Sequence, residues 1–151
     1  MAKSPIVPAY FDSALVAKFY LNEPGRDVVR RLARDAGVVV TSGIAVAEVS
    51  TAFHRKFREG AVDKAVSCRG SSSTTWNTGS GSSSDQPRRC FSRSMPCFLR
   101  PDKAVFLRSL DALHLVTARA EHFDRIYSTD RHLLNASASV ALKGVDPTSR
   151  I

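Results

Sequence analysis

Pro8–Gly25 reads PAYFDSALVAKFYLNEPG, and its reading decides the fold. A short apolar run, Ile6–Phe11, is a strand candidate in which Pro8 is tolerable only near the start. Asp12 or Ser13 then caps a helix reaching about Leu21, with Leu15, Val16 and Phe19 on one face. Asn22–Gly25 is a turn. The unit is therefore strand, acid, helix. It recurs outward. Arg26–Ala36 is a second helix with Gly37 as its stop. Val38–Thr41 is a β-branched strand, and Ser42 can cap a helix from Ile44 to Arg58 that Gly60 ends. Farther on, Lys103–His122 reads as one long helix and Ile126–Ser128 as a short strand. Asp130 or Arg131 opens another helix, and Val140–Val145 is a last strand or a helix end. Strand then helix, repeated, predicts an α/β fold with a parallel sheet covered on both sides. In such sheets functional groups gather beyond the carboxyl ends of the strands.

Four carboxylates fall at these junctions: Asp12, Glu48 in VVVTSGIAVAEVSTAF (Val38–Phe53), Asp111 in LRSLDALHLVTARA (Leu107–Ala120), and Asp130 in IYSTDRHLL (Ile126–Leu134). Asp12 follows a strand directly and Asp130 nearly so. Glu48 lies one to two turns into its helix, and Asp111 reads as mid-helix on the turn Leu110–His114. Acids gathered in one cleft repel each other unless a cation sits between them. A divalent-metal site is the natural expectation, with metal-assisted attack on a phosphodiester as its chemistry. Asp12 and Asp130 could equally be plain helix caps, and Glu48 a solvated helix residue. Asp111, between Leu110 and Ala112, is the costliest to leave unpaired. His114 shares a helix face with Asp111, and a packed, hydrogen-bonded histidine is the simpler reading. His54, His122 and His132 read as surface residues.

Length and composition bound the rest. The chain has 151 residues, enough for one domain with a real core, and its 43% apolar fraction fits a globular protein. No stretch reaches the roughly 18 apolar residues of a membrane span. The N-terminus shows no secretory pattern, so the expected place is the cytoplasm. The three cysteines, Cys68, Cys90 and Cys97, fit no zinc spacing and read as free thiols. The net charge of +8 points to a polyanionic partner. Half of that excess lies in residues 67–103.

That middle is anomalous. Residues 67–101 hold every cysteine, the only tryptophan (Trp76), and the run GSSSTTWNTGSGSSS, with neither helical nor strand periodicity. At face value the segment is a Ser/Gly-rich insert interrupting a single domain over 1–151. It also has the composition of a GC-rich gene read out of frame, with Arg, Ser, Cys, Gly and Pro where Ala and Leu belong. Two compensating indels near residues 66 and 103 would produce it.

YFDSALVAKFY (Tyr10–Tyr20), TSGIAVAEVSTAF (Thr41–Phe53), LDALHLVTARA (Leu110–Ala120) and YSTDRHLL (Tyr127–Leu134) together resemble the successive motifs of the PIN-domain ribonucleases, above all VapC-type toxins of bacterial toxin–antitoxin pairs. The resemblance covers roughly residues 6–65 and 104–145. It implies a three-layer α/β/α sandwich around a short parallel sheet, and Mg²⁺- or Mn²⁺-dependent endonucleolytic cleavage of RNA. It also implies a cognate antitoxin whose tail covers the cleft, and a homodimer. Asp12, Glu48, Asp111 and Asp130 match the family's four acids, with Ser13 and Thr129 as small polar neighbours. On this reading Asp12, Asp111 and Asp130 ligate the metal, Glu48 supports a second ion or a water, and the attack leaves a 3′-hydroxyl. Arg55, Lys56, Arg58 and Arg108 would steer the RNA backbone. The basic stretch FHRKFREG (Phe53–Gly60) is either an RNA face or a solvated helix end with two core aromatics. The competing expectation is a PIN-like protein that binds RNA or an antitoxin without cleaving. A metal-dependent phosphatase is weaker, because Ser13 and Ala14 follow Asp12 where a DxD pair would stand.

Overall fold

A computed structural model describes residues 7–63 and 105–149. The anomalous segment 67–101 and its cysteines lie outside the described residues. In chain order the elements are β1 (Ala9–Tyr10), α1 (Ser13–Tyr20), α2 (Arg26–Ala36), β2 (Val39–Val40), α3 (Ala45–Arg58), α4 (Ser109–Ala120), β3 (Arg125–Tyr127), α5 (Arg131–Ala136), a 3₁₀ turn (Ser137–Val140) and β4 (Lys143–Val145). The class is mixed α/β, as the repeated strand–helix unit requires.

The strands are short and parallel. β1 pairs with β2 in the register Ala9 to Val39, and β3 pairs with β4 in the register Ile126 to Gly144. A single bridge, Phe11 to Tyr127, brings the two ladders together, reinforced by Asp12 N–H donating to the Tyr127 carbonyl at 3.1 Å. Successive strand residues point to opposite faces, and the core follows that rule. Ala9, Phe11, Val39 and Tyr127 join a cluster with Leu15, Val16, Val29, Val49 and Phe53 from α1, α2 and α3. Tyr10, Val40 and Ile126 join a second cluster with Leu115, Ala118, Leu133 and Ala136 from α4 and α5.

Local chemistry sets the element ends. Asp12 is extended and accepts from Leu15 N–H, so α1 begins where the sequence places it. α2 ends at Gly37, whose φ of 71° lies in the left-handed region that a glycine enters without steric cost. Two expectations need correction. Ser42 is not the cap of α3. Ile44 holds that position, and Ser42 Oγ accepts only a long 3.4 Å bond from Ile44 N–H. The helix expected over Lys103–His122 begins at Ser109, because Arg108 is extended (φ −84°, ψ 153°). Val105 and Leu107 pack against the second cluster while Phe106 between them is exposed, which is a strand-like alternation. The stretch Val140–Val145 divides between the two alternatives: Val140 ends the 3₁₀ turn, Ala141 follows at φ 57°, and only Lys143–Val145 is strand.

Candidate functional site

The shifted start of α4 changes the status of Asp111, which is in the first helical turn and not mid-helix. Glu48 is likewise in the first turn of α3. Asp12 is the cap of α1 and Asp130 the cap of α5, where it accepts from His132 N–H at 2.8 Å. All four acids therefore stand at helix N-termini. Unpaired N–H groups and the helix dipole favour negative charge there, by roughly 0.3–1 kcal/mol per carboxylate. That is one contribution to holding several acids in one region, beside Arg108 at Asp130 and His114 at Glu48.

A network of polar side chains ties them together. Ser128, fully buried, donates from Oγ to Asp12 Oδ2 and accepts from Asp130 N–H at 2.8 Å. Arg108 donates from Nε to Asp111 Oδ2 at 2.7 Å and from Nη2 to Asp111 Oδ1 at 3.3 Å, and the same Nη2 also donates to Asp130 Oδ2. Glu48 Oε2 meets His114 Nε2 at 2.9 Å, and His114 Nδ1 lies 3.5 Å from the Tyr10 hydroxyl. One proton arrangement serves both contacts: Nε2–H donates to Glu48 while Nδ1 accepts from Tyr10 O–H. His114 is thus the packed, hydrogen-bonded histidine that its helix face suggests. Glu48 is also hydrogen-bonded by Ser13 and feels the charge of Arg108, which joins its branch to the other three acids.

The electrostatics separate the acids. Asp12 is 3% exposed, and burial pushes its carboxyl up to about 6 despite the Ser128 and Leu15 hydrogen bonds, with the Asp130 charge adding to the rise. Burial also raises Glu48, but His114 and Ser13 outweigh it and hold this carboxyl below its ordinary value. Asp130 feels burial too, and Arg108 with the His132 N–H brings it below the usual carboxylate range. Arg108 is itself driven up, first by Asp111 and then by Asp130.

A cleft of about 630 Å³ runs from Ser13, Glu48 and Thr129 to Lys18, Glu23, Arg55 and Lys56. At its far end Glu23 pairs with Lys56 at 3.3 Å and Lys18 at 3.7 Å, and Arg55 pairs with Glu59 at 4.0 Å. Of the four cations expected to steer RNA, Arg55 and Lys56 line this cleft and Arg58 is exposed beyond it. Arg108 instead serves the acids. The stretch Phe53–Gly60 divides, because Phe53 is fully buried in the core and Phe57 is 43% exposed. His54, His122 and His132 are exposed as expected.

The donor chemistry suits a hard divalent ion, since carboxylate oxygens are what Mg²⁺ and Mn²⁺ take. Yet among the described residues no group of three or more His, Cys, Asp or Glu side chains takes up a metal-holding arrangement. The cation expected between the acids is here a guanidinium. Ser128 was not foreseen as a member of the site. Its only signal is its place, one residue past a strand and two before a capping Asp. Lys18, Glu23 and Tyr10 were also not foreseen. No family model matches the chain, and no curated protein sequence matches it. Among the described residues no helix is long and apolar enough to cross a membrane.

Proposed function

We propose that the chain is a metal-dependent endoribonuclease of the PIN type, the toxin component of a type II toxin–antitoxin pair. The observation that carries this reading is the gathering of Asp12, Glu48, Asp111 and Asp130 at four helix N-termini, three of them linked by Ser128 and Arg108, with Glu48 within reach of the Arg108 charge. A three-layer α/β/α arrangement is supported by the alternation of strand residues between two helix-lined clusters. Mg²⁺ or Mn²⁺ would be held by Asp12, Asp111 and Asp130, with Glu48 beside them. Such an ion supplies charge neutralisation at the phosphate and acidifies water. The chain's own groups supply the rest. Ser128 holds the Asp12 carboxylate in its rotamer, and His114 holds Glu48. Lys18, Arg55 and Lys56 along the cleft attract backbone phosphates. The partners of this reading are RNA, an antitoxin whose tail covers the cleft, and a second copy of the chain, all in the cytoplasm.

The test is cleavage of a mixed RNA substrate with Mg²⁺ or Mn²⁺, and with chelator. Fragments that need the metal and vanish in Asp12→Asn are expected. Equal cleavage by Asp12→Asn, or cleavage that persists in chelator, refutes the metal role.

A second reading is a PIN-like protein that binds RNA or an antitoxin without cleaving. The pairing of Arg108 with both Asp111 and Asp130 favours it, since it engages acids that the reaction would need. RNA retention that is indifferent to chelator, with intact RNA at every metal concentration, is its signature.

A further inference from the structure

Arg108 sits between two acids of the site, Asp111 and Asp130. One guanidinium spans two acids from different elements, Asp111 in the first turn of α4 and Asp130 at the cap of α5. Its Nη2 is shared between them. Its backbone is fixed, because Val105 and Leu107 just before it pack into the second cluster. Its side chain reaches the surface, 45% exposed, whereas the Asp111 side chain is 12% exposed. A guanidinium at the surface can turn to water without the desolvation change that traps a buried ion. Asp130 has a second donor, the His132 N–H at 2.8 Å on Oδ1, that does not depend on Arg108. Asp111 Oδ1 and Oδ2 and Asp130 Oδ2 all accept from Arg108, so a metal ion drawing on the same oxygens must displace it.

We propose that Arg108 is a tethered counter-cation that competes with a divalent metal for Asp111 and Asp130 and closes the site in the metal-free protein. The inference rests on the metal-site reading above and adds its regulation. The site is then stable without metal, and its metal affinity is set below what the acids alone would give. A lysine cannot do the same, since a single ammonium lacks the planar fork that bridges two carboxylates.

The experiment is direct Mn²⁺ binding, by calorimetry and by the electron paramagnetic resonance of free Mn²⁺, on the full chain and its Arg108→Gln, Arg108→Lys and Arg55→Gln variants. Losing a half-exposed charged pair is expected to make Arg108→Gln bind Mn²⁺ about tenfold more tightly. Arg108→Lys should fall between it and the wild type. Arg55→Gln, which alters the cleft wall only, should match the wild type. Without metal, Arg108→Gln should melt below the wild type, and Mn²⁺ should close the gap. Equal or weaker Mn²⁺ binding by Arg108→Gln overturns the competition while leaving the nuclease reading intact. Absence of Mn²⁺ binding in every variant overturns both.

Discussion

The Ser128 hydroxyl donates to Asp12 Oδ2 across 116 positions of sequence, and the same oxygen accepts the N–H of Asp130. One buried hydroxyl thereby fixes the spacing of two acids that cap neighbouring strand–helix units. Ser128→Ala leaves a buried carboxylate oxygen without its donor. We expect a loss of about 1–3 kcal/mol at pH 8, measured by chemical denaturation. The Asp12 midpoint should move above its wild-type value, because the hydroxyl lowers it. An unchanged Asp12 titration in the variant would show that the hydroxyl does not act on this carboxylate.

Asp12 makes stability depend on pH in a defined direction. Its carboxyl is raised from 3.8 to about 6, so the folded protein holds a proton that the unfolded chain has released. The contribution is full below about 3.8 and is lost as pH rises through about 6, about 3 kcal/mol in all. Asp12→Asn should remove this slope and be as stable as the wild type, or more so, at pH 7. A wild type whose stability rises between pH 4 and pH 6.5, relative to Asp12→Asn, would contradict the assignment. On the proposed metal-site reading the same carboxyl must ionise to hold a metal, so any Mn²⁺ binding should weaken as pH falls through about 6.

His114→Phe keeps the ring volume in a buried position but removes the partner of Glu48. Because the His114 hydrogen bond lowers the Glu48 carboxyl, the variant should titrate Glu48 at a higher pH, visible in carboxyl carbon shifts. Stability at neutral pH should drop by roughly 1–2 kcal/mol. A Glu48 midpoint that does not move would assign its depression to Ser13 and Arg108 alone.

Gly144 is paired with Ile126 in the β3–β4 ladder. A Cβ there would stand 2.7 Å from Ser137 Oγ and 2.9 Å from the Leu134 carbonyl oxygen. Gly144→Ala should therefore cost about 1–3 kcal/mol by overpacking. It should loosen the 3₁₀ turn against β4, which amide exchange at Leu142 and Lys143 would report. Gly43, which has nothing within 4 Å of such a Cβ, is the control and should tolerate alanine.

Resequencing the gene across codons 60–105 tests the reading of the middle segment. An Ala/Leu-rich amphipathic helix in an alternative frame is the expected result. Its absence from both frames would establish residues 67–101 as a true insert.

The parts legible in the sequence are those governed by local rules. The start of α1 at Asp12 or Ser13 and the bounds of α2 follow from short-range hydrogen bonding and periodicity, and the structure decides the first for Asp12 and has the second as read. The start of α4 was not legible. Val105, Phe106 and Leu107 are all apolar, so the pattern does not reveal a period of two, and only burial separates the exposed Phe106 from its neighbours. The acids were visible as charges, but their partners were not. Arg108 and Asp111 are three apart, but nothing in the residue order says that Arg108 also reaches across to Asp130, or that His114 faces Glu48 from 66 positions away. Those pairings are set by where the helices dock.

The Phe11–Tyr127 bridge carries one more consequence. Each ladder is closed by strands near each other in sequence: β1 with β2 before residue 64, β3 with β4 after residue 104. The first part contributes Asp12 and Glu48, and the second contributes Asp111 and Asp130. Neither part alone holds a complete set of acids. On the proposed nuclease reading the molecule is, in engineering terms, a candidate split reporter: each core cluster draws residues from both pieces, so cleavage would report their reunion.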